Sequence, residues 1–379
     1  MSVIVAALRS AVVPRGGAFG SLQPYQLAAP VVTALLSKAG LSGHQVDQVI
    51  VANALGAGGN PARLVALEAG LDHLSGISID TQCAGGLDAV ALACALVDAG
   101  AAQAVIAGGA ESYSRRPLRA ETFSDHRPPR FYTRPAFTPD PDSDVDMTEA
   151  AAVLAHKFGL SRDNQDSYAI DSHHKALAAE PRLRHEIVPI NNVVADSYPR
   201  RLTPRLASRV AELAESVSVV ATAVEADGAA FCLVLSDELA NTLQCSFGLR
   251  VLGSQSLGAD SRLPGYAPVK AIQQLFSRFP VLRPADCQGE MMEAYASQAM
   301  VCISEGGLDP LKVNTGGGAL ARGHPIGASG AVLLCRLFHE MQHHRTQHGL
   351  CAIAAAGGLG AAMLVEQWQP AAISPSVAN

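Results

Sequence analysis

Two segments of the chain carry residue types that could do covalent chemistry. Cys83 follows a β-type run (ISIDTQ, 77–82) and opens a helical pattern, CAGGLDAVALACALVDAG (83–100). A helix N-terminus presents unpaired N–H groups and a partial positive charge, which lowers a thiol pKa and steadies an oxyanion. Gly85 and Gly86 would leave room beside the sulfur for a substrate. On its own such a cysteine also fits an inert, buried core position. His324 shifts that balance. It sits in NTGGGALARGHPIGASGA (314–331), a glycine-dense loop running into a helix from about Ser329. Such a loop brings backbone close to a ligand and can fix an imidazole. A histidine within reach of a thiol is a common way to activate the sulfur or hold a substrate oxygen.

The surrounding elements are those of an α/β protein. VIVAAL (3–8), a helix over 26–39, DQVIVAN (47–53), a helix over 61–69, the run before Cys83, a helix over 86–99 and AQAVIAGG (102–109) alternate strand and helix. Near-continuous apolar strands predict buried mixed or parallel sheets covered by helices. From Ser114 the texture becomes rich in Arg, Pro and Asp, with Arg115, Arg116, Arg119, Arg127, Arg130 and Arg134 in one irregular stretch. Their guanidinium forks suit phosphate groups, a partner subunit or plain solvent. Helices resume at 147–158 and after Ser161, and SVSVVATAV from Val217 restores the βα texture. The expected division is 1–114 with 217–240 as an N-terminal half, 115–216 as an insertion covering the site, and 241–379 as a C-terminal half.

Composition narrows the class. Of 379 residues, 49% are apolar and only 16% charged, with a net charge of −6. That excludes a disordered chain and argues against a nucleic-acid binder. The longest uncharged run, Gly349–Val365, holds four glycines and reads as strand–turn–strand rather than a membrane span. No secretory signal pattern opens the chain, and eight scattered cysteines show no metal-binding spacing. A reduced, soluble, cytoplasmic protein with no metal site and no membrane or nucleic-acid partner is expected.

The sequence resembles the thiolase family along nearly its whole length. The resemblance is carried by GNPARLVALEAGL (59–71), the Cys83 segment, AVIAGGAESYS (104–114), FGLSRDNQDSYAIDSHHKA (158–176), DGAAFCLVLSD (227–237) and VNTGGGALARGHPIGASGA (313–331). It implies a thiolase fold: two βαβαβαββ halves in α-β-α-β-α layers, with an inserted loop domain. It further implies that Cys83 takes an acyl group from acyl-CoA, with His324 activating the sulfur. The backbone N–H groups of Cys83 and Ala356 would form the thioester oxyanion hole, and Met147, Ala294 and Tyr295 would line the pantetheine tunnel. Coenzyme A would be a substrate, with no tightly bound cofactor. The family also implies a homodimer or a dimer of dimers, built on edge strands near the cysteine, for which AQAVIAGG is the expected strand; an accessory subunit is a further partner. The family's Asn-Glu-Ala-Phe motif reads Met292-Glu293-Ala294-Tyr295 here, and the position of its second, proton-moving cysteine is Ala354. Cys351 lies three residues earlier, an odd offset that puts it on the other face of a strand. Acyl transfer by thiolysis or Claisen condensation is the expectation. Transfer to an acceptor needing no α-carbon base, or a non-catalytic acyl-CoA-binding subunit, are the alternatives.

Overall fold

A computed structural model describes residues 1–370; the last nine residues of the expected C-terminal half lie outside the described residues. Strands Ser2–Arg9, Gln48–Ala52, Ile77–Ile79, Ala104–Glu111 and Ala226–Ser236 make up one stretch of sheet. Numbered in that sequence order, they lie side by side as 1-5-4-2-3. Strands Gly248–Gly258, Gln288–Met291, His348–Ala355 and Leu359–Trp368 follow the same rule, with a single bridge from Gly289 to Val313 standing in for the third strand. At the seam between the two stretches, Ile4 pairs with Leu249. The chain therefore repeats its topology without repeating its residues.

The layers follow from which faces are apolar. Strand Ala226–Ser236 is buried at every position but its last, so both faces of the sheet must be covered. One apolar cluster joins helices Pro24–Ala39 and Pro61–Glu68 to one outer face. A second joins Ala267–Ser277 and Ala296–Glu305 to the other. Between the sheets lie helices Gly85–Asp98 and Ile326–His344, packed in a third cluster with side chains from both stretches. That is an α-β-α-β-α stack, the mixed α/β arrangement expected.

Several elements differ from expectation for local reasons. SVSVVATAV forms only a two-residue strand, Val217–Ser218, and the chain then runs as loop to Ala226. Its apolar residues are buried by neighbouring helices rather than by strand pairing. AQAVIAGG lies inside the sheet, flanked by Ala226–Ser236 and Gln48–Ala52, so it has no free edge for a partner. The free edge beside Cys83 belongs to Ile77–Ile79 instead. Gly85 and Gly86 serve packing. A Cβ on Gly86 would lie 2.5 Å from the Ala331 nitrogen, and one on Gly85 would lie 2.9 Å from the Ala52 Cβ. Such approaches admit only glycine, and they let the two central helices cross closely.

Candidate active site

Cys83 lies in a tight turn, Gln82–Ala84, immediately before helix Gly85–Asp98. Gln82 precedes it with φ at +55°, a left-handed conformation that non-glycine residues rarely adopt. The Asp80 carboxylate receives the Gln82 N–H at 2.8 Å and holds this turn. The sulfur is thereby presented at the head of the helix and toward a cavity of about 310 Å³.

His324 approaches from the glycine loop. Its backbone N–H donates to the Val224 carbonyl at 2.8 Å. Its Nε2 stands 3.3 Å from Cys83 Sγ, and its Nδ1 stands 2.6 Å from Ser329 Oγ. The Ser329 hydroxyl donates to the Pro325 carbonyl at 3.0 Å, so it must accept from Nδ1–H. That fixes the tautomer: Nε2 carries the lone pair and faces the thiol.

Burial decides the charge state of the pair. It pushes the Cys83 thiol up to about 12; the N–H groups of Cys83 and Ala356 pull the other way, and the Glu111 and Asp80 carboxylates add to the rise. Burial also lowers His324 to about 4. The lowered thiol pKa expected from the helix N-terminus is therefore not realised, because desolvation outweighs the N–H contacts. At neutral pH the pair is a thiol hydrogen-bonded to a neutral imidazole. Such a pair yields a sulfur nucleophile when proton transfer accompanies attack.

The remaining expected residues gather at the same place. Ala356, Met147, Ala294 and Tyr295 all line the cavity with Cys83 and His324. Ala356 keeps a negative φ and directs its N–H to the sulfur. Met147 opens helix Met147–Lys157, capped by Asp146, whose carboxylate accepts from the Thr148 and Glu149 N–H groups. The Tyr295 hydroxyl sits 3.1 Å from Thr148 Oγ1. Segment 221–223 runs against 294–296 through paired backbone hydrogen bonds, which seats Ala294 and Tyr295 in the wall. Phe137, Met147, Ala150 and Ala151, all within 115–216, form part of the lining. Ala354 also lines it, whereas Cys351 is fully buried in the inter-sheet core with Ile353 and Ala355. Met292 is 1% exposed in that core and forms no part of the lining.

Sequence reasoning missed the side chains that hold the loop. Glu293 accepts from Tyr168 Oη (3.1 Å), Ser172 Oγ (2.7 Å), Asn314 Nδ2 (2.7 Å) and the Leu320 N–H (3.2 Å). Its carboxylate occupies the space a Cβ on Gly318 would need. Glu111, pushed up to about 7 by burial, accepts from Asn53 Nδ2, the Ala54 N–H and the Gly327 N–H, tying the head of helix Ile326–His344 to the sheet. For Glu111 the two glycines before it, Gly108 and Gly109, were the available signal; nothing adjacent in the sequence marks Glu293. Among the described residues no His/Cys/Asp/Glu group could hold a metal, and no helix is long and apolar enough to cross a membrane.

Comparison with known proteins decides the family. Residues 2–236 match the thiolase N-terminal domain and residues 249–367 the thiolase C-terminal domain. The chain belongs to the thiolase family. This is a family of acyltransferases, and the chain is accordingly an enzyme of that class. It is 39% identical over 375 residues to YhfS of Bacillus subtilis, named as a candidate acetyl-CoA C-acetyltransferase, spanning 96% of this chain and 99% of the relative. It is 34% identical to VraB of Staphylococcus haemolyticus, named likewise, over 97% and 99% of the two chains. The crystal structure of the Bacillus anthracis acetyl-CoA acetyltransferase matches with a TM-score of 0.89 at 28% identity, covering 97% and 98% of the chains.

Proposed function

We propose that this thiolase is an acyl-CoA acyltransferase that works through an acyl-Cys83 thioester. The observation that carries the reading is the 3.3 Å contact between Cys83 Sγ and His324 Nε2 at the wall of a largely apolar cavity. Sγ attacks the thioester carbonyl as its proton passes to Nε2. The oxyanion takes the Cys83 and Ala356 N–H groups, which already reach the sulfur. The bond to the coenzyme A sulfur then breaks, and His324 returns the proton to the leaving thiolate. Coenzyme A is a substrate in this scheme rather than a resident cofactor. The second half transfers the acyl group to coenzyme A or to a carbon nucleophile.

A second reading is favoured by one observation: the wall offers Ala354, while Cys351 is sealed in the core. Abstracting an α-proton from a thioester needs a placed base, typically worth ~10²–10⁴-fold in rate. On this reading the acyl group goes to an acceptor that needs no such base. Loading Cys83 from acyl-CoA and then adding coenzyme A, acetyl-CoA, amines or water in turn separates the readings by which acceptor discharges the thioester. A protein that binds acyl-CoA without ever loading would be the non-catalytic subunit.

The unpaired Ile77–Ile79 edge supports the proposal of a homodimer, because an open strand edge pairs readily with a second copy. A cytoplasmic setting and the three-part division of the chain into two halves and an insertion belong to the same proposal.

A further inference from the structure

Beside the active-site cavity lies a second hollow of about 290 Å³, walled by Arg15, Arg116, Arg119, Ser114, Tyr132 and Tyr113 among others. Tyr113 walls both hollows, so the two adjoin at this residue. No aspartate or glutamate stands among the described residues of the second lining. The carboxylate its guanidiniums meet is Glu225, from the active-site side: Arg15 Nη1 lies 2.8 Å from Oε2, and Arg116 Nη1 lies 3.5 Å from Oε1. Arg119 gives Nη2 to the Ala54 carbonyl at 2.7 Å and meets no carboxylate among the described residues. The lining thus holds three guanidiniums, two of which meet Glu225, while Ser114 beside them is held by the buried Asp227 carboxylate; the pocket keeps an excess of positive charge next to an otherwise apolar cavity.

An apolar hollow followed by an excess of guanidinium suits a molecule that is apolar near its reacting carbon and anionic at its end. Guanidinium forks match a carboxylate in plane and charge. The phosphates of coenzyme A hang at the far end of the pantetheine arm, whereas this pocket adjoins the cavity of Cys83 at Tyr113. From this juxtaposition we propose that the acyl group taken by Cys83 carries a distal carboxylate, which reaches past Tyr113 to Arg116 and Arg119. The inference rests on the acyl-Cys83 reading and names its substrate class. Loading forms the Cys83 thioester and releases coenzyme A, with the distal carboxylate untouched.

The test compares the rates at which butyryl-CoA and glutaryl-CoA load Cys83, read by intact mass. The two differ by a terminal carboxylate at similar reach. The natural protein should load glutaryl at least about tenfold faster at subsaturating substrate, the size of one partly exposed charge-assisted contact. Arg119→Met, and separately Arg116→Gln, should lower the glutaryl-to-butyryl ratio about tenfold. Equal loss for both acyl groups would assign the arginines to the coenzyme A phosphates and overturn the proposal, as would a natural protein that prefers butyryl or shows no preference. Failure of every acyl-CoA to load would instead remove the acyl-Cys83 reading itself.

Discussion

Ser329 Oγ stands 2.6 Å from the Nδ1 of His324 and has committed its own proton to the Pro325 carbonyl. The serine therefore holds His324 in the tautomer whose Nε2 can take a proton from Cys83. Ser329→Ala removes that constraint without touching the sulfur. The acyl-loading rate should fall about 10–100-fold, while Ser329→Thr retains most of it. A stopped-flow measurement of coenzyme A release reads both, and an unchanged rate in the alanine variant would dissociate Ser329 from the chemistry.

The pH profile follows from the burial of the pair. With His324 at about 4 and Cys83 at about 12, the reactive thiol–imidazole form is the resting form across the range between them. The loading rate should be nearly flat from about pH 5.5 to 9 and fall only as His324 protonates in acid. An ion pair assembled at neutral pH would instead give a rise through pH 6–7.

Restoring the family's missing base is a gain-of-function test. Ala354 lines the same cavity as Cys83 and His324, so Ala354→Cys should raise acetoacetyl-CoA thiolysis at least about tenfold. Met292→Asn should not add to it. Met292 packs in the inter-sheet core outside the lining, and an amide there costs ~1–3 kcal/mol of stability. Parallel kinetics and thermal melts on the two variants separate these effects.

Glu290 supplies a stability prediction away from the site. Its buried carboxylate oxygens find no hydrogen-bond partner among the described residues, and burial raises it to about 8. An acid whose folded pKa is raised favours the folded state below its unfolded value and loses that contribution as pH rises through the folded one. Between about pH 4.5 and 8 the natural protein should lose stability that Glu290→Gln retains. The variant should match it near pH 5 and exceed it by ~1–3 kcal/mol at pH 8.5, measured by denaturant unfolding at both values.

Assembly is tested at the free edge. Ile77 and Ile79 are half-buried and Ser78 exposed on a strand with no further strand beyond it among the described residues. Light scattering at micromolar concentration should give twice the chain mass. Ile79→Lys, a charge on a pairing edge, should weaken the dimer at least tenfold.

The fold was legible wherever apolar runs outlast a single turn. Strands such as Ala104–Glu111 and helices such as Gly85–Asp98 lie within two residues of where their patterns put them. The strand order was not legible, because which strand holds an edge depends on long-range pairing; AQAVIAGG reads as well for an edge as for the interior it occupies. At the site, Cys83 and His324 stood out by type and glycine context. The charge state of the pair did not, since it turns on desolvation by residues far apart in the chain. Ser329, Glu293 and Tyr113 were illegible for the same reason: each acts through a partner brought to it only by the fold.

Covalent acylation of Cys83 is read by peptide-mapped mass spectrometry after brief incubation with acyl-CoA. One added acyl group, sensitive to hydroxylamine, is expected on the peptide bearing Cys83, absent in Cys83→Ala and slowed at least ~100-fold in His324→Ala. An acyl group found instead on Cys351 or another cysteine, or undiminished loading in Cys83→Ala, would contradict it.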